Sequence, residues 1–189
     1  MIAYVFWHRA AEGVAADAYE AAQRRFHRSL ARQPPGGFVG SACLRAESLP
    51  WLGAGGAGYE DWYVLEDFAA LGVLNEAAVG RGHSGAHDAA ARPMGEGTAS
   101  VYRLRDGLPR LDRVTHAVWI TPAPGRFDVA FEDLLVDGVQ PPDASLWRRQ
   151  LALGPAPEIC LLSSEVPAGV RATRLPVGWA AEAYSRALV

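Results

Sequence analysis

The chain opens with an apolar run, Ile2-Ala-Tyr-Val-Phe-Trp-His8, that is hydrophobic at both alternating sets of positions. Ile2, Tyr4, Phe6 and His8 share one face of the strand this predicts, and Ala3, Val5 and Trp7 share the other. A sheet open to water on one side alternates apolar with polar residues, so this strand is expected to be covered on both faces, by helices on one and a second sheet on the other. Residues 17–32 carry a helical stripe at Tyr19, Ala22, Phe26 and Leu30. Asp17 and Glu20 have the spacing of a capping box, and Arg24, Arg28 and Arg32 form a basic edge. Pro34-Pro35-Gly36-Gly37 stops this helix. Strands follow at 38–45 and 60–65, a helix at 68–79 behind Asp67 as N-cap, a short helix at 84–92 within a weakly patterned stretch of 81–97, and a strand at 100–104.

At 115–120 a new strand begins and the order restarts in shortened form. Phe127, Phe131, Leu134 and Leu135 mark a helix. Segments 146–151 and 159–163 read as a hairpin pair, 170–175 as a strand, and 178–188 has helical spacing at Trp179, Ala183 and Ala187. The division expected is one half at 1–105, a joint at 106–114 and a shorter half at 115–189.

The first half therefore reads strand–helix–strand–strand–helix–strand. Within it, Trp62-Tyr-Val-Leu-Glu-Asp67 runs straight into Phe68-Ala-Ala-Leu71, and a histidine-bearing segment follows at 83–87. In these features the chain resembles the dimeric α+β barrel superfamily. That group includes antibiotic-biosynthesis monooxygenases, muconolactone-isomerase-like proteins and haem-binding chlorite dismutases. The resemblance implies an α+β fold: a duplicated ferredoxin-like (βαββαβ) sandwich, its second half degenerate, forming a dimeric α/β-barrel-type unit with a ligand pocket between sheet and helices. It implies no particular reaction.

Composition narrows the chemistry. All 18 basic residues are arginine. Without lysine there is no Schiff base to pyridoxal phosphate and no P-loop lysine for nucleotide phosphates. A net charge of −3 offers no basic excess for nucleic acid. The apolar start lacks a basic lead and is too short for a membrane span. Cys43 and Cys160, two in 189 residues, suit a reduced cytoplasmic setting better than a disulfide framework.

Several groups could carry chemistry. Gly53, Gly55 and Gly58 fit G-x-G-x-x-G, but a strand follows where dinucleotide binding needs a helix, so a hairpin loop is the better reading. His8, near the end of a central strand, and His27, at the border of the helical stripe, are the candidate proton-transfer residues; buried, hydrogen-bonded structural histidines are the alternative. His116 opens the strand of the second half. Glu60 and Asp61 point to opposite faces of one strand, so they cannot converge as a glycosidase pair; they stand either as one base or as solvated acids at a strand end. Tyr4, Trp62, Trp147 and Arg149 are the candidate ligand-binding residues. Arg149 would grip a carboxylate or a haem propionate, or else bridge to Glu158 across the hairpin. His83 and His87, beside Asp88, are weak candidates for a metal or an axial haem position. Cys160 lies in an apolar run and reads as an inert buried thiol, and Ser84, Ser163 and Ser164 lack the context of an activated nucleophile.

Two functions stay open. One is a cofactor-light monooxygenase or isomerase acting on a small aromatic or polyketide-like substrate. The other is a haem-linked or non-catalytic protein binding a small apolar ligand in the same cavity. The cofactor is unassigned, with haem as the candidate; no nucleic-acid or membrane partner is expected, and pairing of exposed edges would make a homodimer.

Overall fold

A computed structural model describes residues 1–53, 56–80, 82–112, 115–122, 143–164 and 180–189, with the backbone alone at 181–184. The order is β1 (Ile2–Ala10), α1 (Ala16–Arg32), β2 (Phe38–Ala46), β3 (Gly58–Leu65), α2 (Phe68–Val79), α3 (Ser84–Ala91), β4 (Met94–Gly107), β5 (His116–Thr121), β6 (Ser145–Ala152), β7 (Ile159–Ser163) and β8 (Ala180–Leu188). The strands form one closed barrel in the order β1-β3-β2-β8-β5-β7-β6-β4, every described pairing being antiparallel. The fold is α+β. Read around the ring, β4-β1-β3-β2 is followed by β8-β5-β7-β6, so the two half-sheets share one strand order, the later one traced in chain order 4-1-3-2 like the first.

Both faces of β1 are covered. Ala3, Val5 and Trp7 point into the barrel, where Leu44, Trp62, Val64, Tyr102, Trp119, Trp147, Cys160 and Leu162 meet them. The indoles pack edge to face: Trp7 on Trp119 at 5.1 Å and Trp62 on Trp147 at 5.3 Å between ring centres. The barrel is thus filled with side chains. Glu60 is wholly buried among them, where it accepts from Trp62 Nε1 at 2.5 Å and pairs with the buried Arg186 of β8. On the outer face Ile2, Tyr63, Leu65 and Val101 meet Phe26 and Leu30 of α1, Leu74 and Ala78 of α2 and Ala90 of α3.

The structure departs from the sequence reading at several points. Residues 180–188, expected to be helical, form β8; pairing with β2 and β5 on either side outweighs the helical preference of an alanine-rich stretch. The capping box at Asp17 and Glu20 is absent. The N-cap is Ala15, with no side-chain cap, and Glu20 turns inward to Arg45 and Tyr59. β4 begins at Met94, shortening the unpatterned stretch, and the helix within it is present. Glu60 and Asp61 are not solvated: they are 0% and 2% exposed. The expected hairpin pair is β6 with β7. The helix at Phe127, Phe131, Leu134 and Leu135 and the strand at 170–175 lie outside the described residues.

Candidate active site

The outer face of the first half-sheet carries the polar cluster. In β3, Asp61 follows Glu60 and so points the opposite way, toward the helices. Register brings partners to it: Phe6 of β1 and Cys43 of β2 lie opposite Asp61, which puts His8 two residues along on the same face. α1 lays Tyr19, Gln23, Phe26, His27 and Leu30 on its buried side, spaced as one helical face. His27 thus arrives from the helix and His8 from the sheet.

They meet at Asp61. His8 Nε2 is 3.3 Å from one carboxylate oxygen, Oδ2, and His27 Nε2 is 3.4 Å from the other, Oδ1. Each ring is steadied at its far nitrogen: His8 Nδ1 shares a 2.5 Å hydrogen bond with the Tyr19 hydroxyl, and His27 Nδ1 a 2.7 Å one with Ser41 Oγ. Tyr63 donates its hydroxyl to Asp61 Oδ2 at 3.1 Å. Burial alone would raise the Asp61 carboxyl, but the charges of His8 and His27 beside it outweigh that and hold the group well below the usual carboxylate range. The resulting anion pushes its neighbours the other way. Burial first, and then the Asp61 charge, raise the phenols of Tyr4, Tyr19 and Tyr63 and the thiol of Cys43.

Asp61, Tyr63 and Tyr4 form part of the wall of a cavity of about 680 Å³ between the sheet and the three helices. The rest of the wall is mostly apolar, with Phe6, Phe26, Leu71 and Leu74 prominent and His87 on the α3 side. A mainly apolar cleft with a few convergent polar groups is the usual form of a small-molecule site. α2, which walls one side, starts at Asp67, whose side chain accepts from Ala70 N at 2.9 Å.

The sequence-derived candidates divide between the two sides of the sheet. Tyr4, His8 and His27 come together on the helix side. Trp62 and Trp147 lie on the other side, inside the barrel, where Trp147 Nε1 donates to Ser145 Oγ at 2.9 Å. Arg149 pairs in register with Tyr102 on the barrel side; it donates to the Ala156 carbonyl and lies 4.0 Å from Glu158. His83 is buried with both ring nitrogens engaged, by Ser29 Oγ at 2.9 Å and the Gln33 carbonyl at 3.1 Å. His87 faces the cavity with its ring against Phe26 and its Nδ1 3.2 Å from Asp88. His116 sits on β5, with Nδ1 3.0 Å from Thr115 Oγ1. Sequence reasoning missed Asp61 as the meeting point of two histidines, Tyr19 as a partner of His8, and Cys43. The available signal was parity: His8 and Asp61 sit on the same face of neighbouring strands once the β1–β3 register is known.

The sequence matches no protein-family model, and no curated protein sequence matches it significantly. Solved structures do resemble it. An anthrone oxidase-like protein superposes with a TM-score of 0.56 at 8% identity, covering 98% of this chain and 91% of its own. A chlorite dismutase-like protein superposes with a TM-score of 0.52 at 15% identity, covering 100% of this chain and 94% of its own. The chain shares their fold. At such identities the likeness speaks for architecture and leaves the chemistry to the residues.

Haem, the cofactor that the sequence resemblance raises, is matched only in part by the residues here. His83 has no free ring nitrogen and the cavity wall includes no arginine among the described residues to receive a propionate, while His87 does lie on that wall. Among the described residues no helix is long and apolar enough to cross a membrane.

Proposed function

We propose that this protein binds a small, flat, largely apolar aromatic molecule in the cavity under α1–α3 and removes a proton from it, as a cofactor-light oxygenase or isomerase does. The observation that carries the reading is Asp61: a buried carboxylate on the wall of an apolar cavity, with a histidine Nε2 facing each of its oxygens. A carboxylate held so far down is a poor base alone. The relay has one of the two facing imidazoles neutral, so the proton leaves the substrate, crosses Asp61 and comes to rest on that histidine, while the charge on the other keeps Asp61 ionised. The imidazolium then stands beside the carboxylate and offsets the charge left on the substrate. Tyr19 and Ser41 keep the two rings aimed. Phe6, Phe26 and Tyr4 would grip the aromatic body.

Anthrone is the natural probe, since the fold is shared with an anthrone oxidase-like protein and the cavity is of the right kind. Its central methylene would lose a proton to the Asp61–histidine relay, leaving the electron pair on carbon. Dioxygen, the co-substrate, then oxidises that carbon to a carbonyl, so that anthrone and O2 give anthraquinone and water. The test is oxygen uptake with anthraquinone formation by the purified protein. Turnover that Asp61→Asn abolishes supports the reading; no saturable binding of anthrone and no uptake above the uncatalysed rate overturn it.

We further read the two half-sheets as copies of one ferredoxin-like unit fused in a single chain. The support is the repeated strand order and the way each half's outer strands, β2 with β8 and β4 with β6, close the ring. Such a fusion completes the barrel without a second chain. A cytoplasmic setting is part of the same reading and suits the two free, buried cysteines.

A further inference from the structure

Cys43 has no part in the proton relay, yet it sits beside it. The ligand-capable atoms of His8, Cys43 and Asp61 lie within 4.8 Å of one another, all three residues buried, on three adjacent strands β1, β3 and β2. We propose that these three form a site for one thiophilic divalent cation of the Zn2+ class, and that filling it arrests the relay. The binding claim stands alone; its effect on turnover rests on the function proposed above.

Four observations support the site. The donor set is one imidazole nitrogen, one sulfur and one carboxylate oxygen, which suits Zn2+ and excludes the all-oxygen preference of Mg2+ and Ca2+. Metal bonds of about 2.0–2.2 Å at tetrahedral angles place neighbouring nitrogen and oxygen donors about 3.3–3.6 Å apart; His8 Nε2 and Asp61 Oδ2 are 3.3 Å apart. Ligand histidines commonly bond outward through their other nitrogen, as His8 Nδ1 does to Tyr19. The fourth observation is unmet hydrogen bonding. His8 Nε2, His27 Nε2 and Asp61 Oδ1 are buried without a well-aligned hydrogen-bond partner among the described residues. Such atoms cost stability, and a cation held between His8 Nε2 and Asp61 Oδ2 would engage the first of them. His27 would stay on the far carboxylate oxygen as its orienting partner. Three protein ligands leave a fourth position for water or a ligand. Cys43 must give up its proton on binding; burial opposes this, and the metal–thiolate bond supplies the drive.

The experiment is a titration of chelator-treated, otherwise intact protein with Co2+, followed by displacement with Zn2+. The expected result is one Co2+ per chain, with a sulfur-to-cobalt charge-transfer band in the near ultraviolet, about one proton released per metal, and loss of the band on adding one equivalent of Zn2+. Cys43→Ser, a small change that circular dichroism can check for folding, is expected to erase the band and weaken binding at least about tenfold; His8→Gln is expected to weaken it similarly. No binding at millimolar Co2+, or a charge-transfer band that survives in Cys43→Ser, overturns the proposal. Zn2+ inhibition of anthrone oxidation in the wild type, relieved in Cys43→Ser, would extend it to the relay. If anthrone is not turned over at all, the function proposed above fails while the cobalt titration still decides the metal site.

Discussion

Strand β3 places two successive carboxylates on opposite sides of one sheet, and their surroundings make them opposites. Glu60 faces the barrel interior, where an indole N–H and the guanidinium of Arg186 satisfy it among close-packed tryptophans. Asp61 faces the helices, where its two oxygens divide their attention between two histidines that sit near but poorly aligned, at the edge of an open cavity. The first carboxylate is enclosed and satisfied. The second leaves polar capacity unused next to room for a guest. Burial alone does not distinguish a structural charge from a working one; completeness of its bonding does.

The contrast predicts where substitutions should strike. The largest effect is expected inside the barrel: Arg186→Met leaves Glu60 buried without its cation and should lower unfolding free energy by about 3–5 kcal/mol in urea titrations. The double variant Glu60→Gln with Arg186→Met should recover much of that loss; if it does not, the interior pair is not the closed unit described here. Next comes Asp61→Asn, expected to reduce anthrone oxidation at least about 100-fold in a protein whose circular dichroism is unchanged. A stability loss as large as that of Arg186→Met, with activity retained, would erase the distinction between the two carboxylates.

A smaller effect concerns Tyr102 in the interior, whose hydroxyl donates to the Pro157 carbonyl at 2.6 Å. Burial pushes its phenol well above the ordinary value of 10.0. The unfolded chain therefore ionises first as pH rises, so the stability Tyr102 contributes is complete below about pH 10 and drains away above it. Tyr102→Phe should cost about 1 kcal/mol near neutrality and give a shallower fall in melting temperature between pH 10 and 11. The smallest effect expected is at the cavity wall: Asp67→Ala removes the N-cap of α2, costing about 0.5–1 kcal/mol and appearing as faster amide exchange in the first turn of that helix.

Much of this frame was legible in the sequence. The double apolar face of residues 2–8 called for cover on both sides, and the parity of residues 60–63 separated Glu60 and Trp62 from Asp61 and Tyr63. What parity could not give was register. That His8 falls beside Asp61 depends on how β1 lies against β3, and that His27 reaches the same carboxylate depends on how α1 sits across the sheet. Both are tertiary facts with no local signature. β8 was misread for a related reason: alanine and tryptophan spacing describes an isolated segment, whereas two waiting strand edges decided its conformation. Trp62 and Trp147 read in the sequence as ligand-binding residues, but only the ring closure of the sheet shows that they fill the barrel interior.

The bond between Glu60 and Arg186 also spans time. Its partners are 126 positions apart in the chain, and β8 joins the sheet between β2 and β5, strands from opposite halves. While β8 is absent, β2 and β5 are bare edges and Glu60 lacks its cation. Closing so long a loop costs entropy before any contact repays it, which places ring closure late and makes folding slow for a chain of this size. The vulnerable species is thus the open ring, with two unpaired edges ready to accept a strand from another molecule.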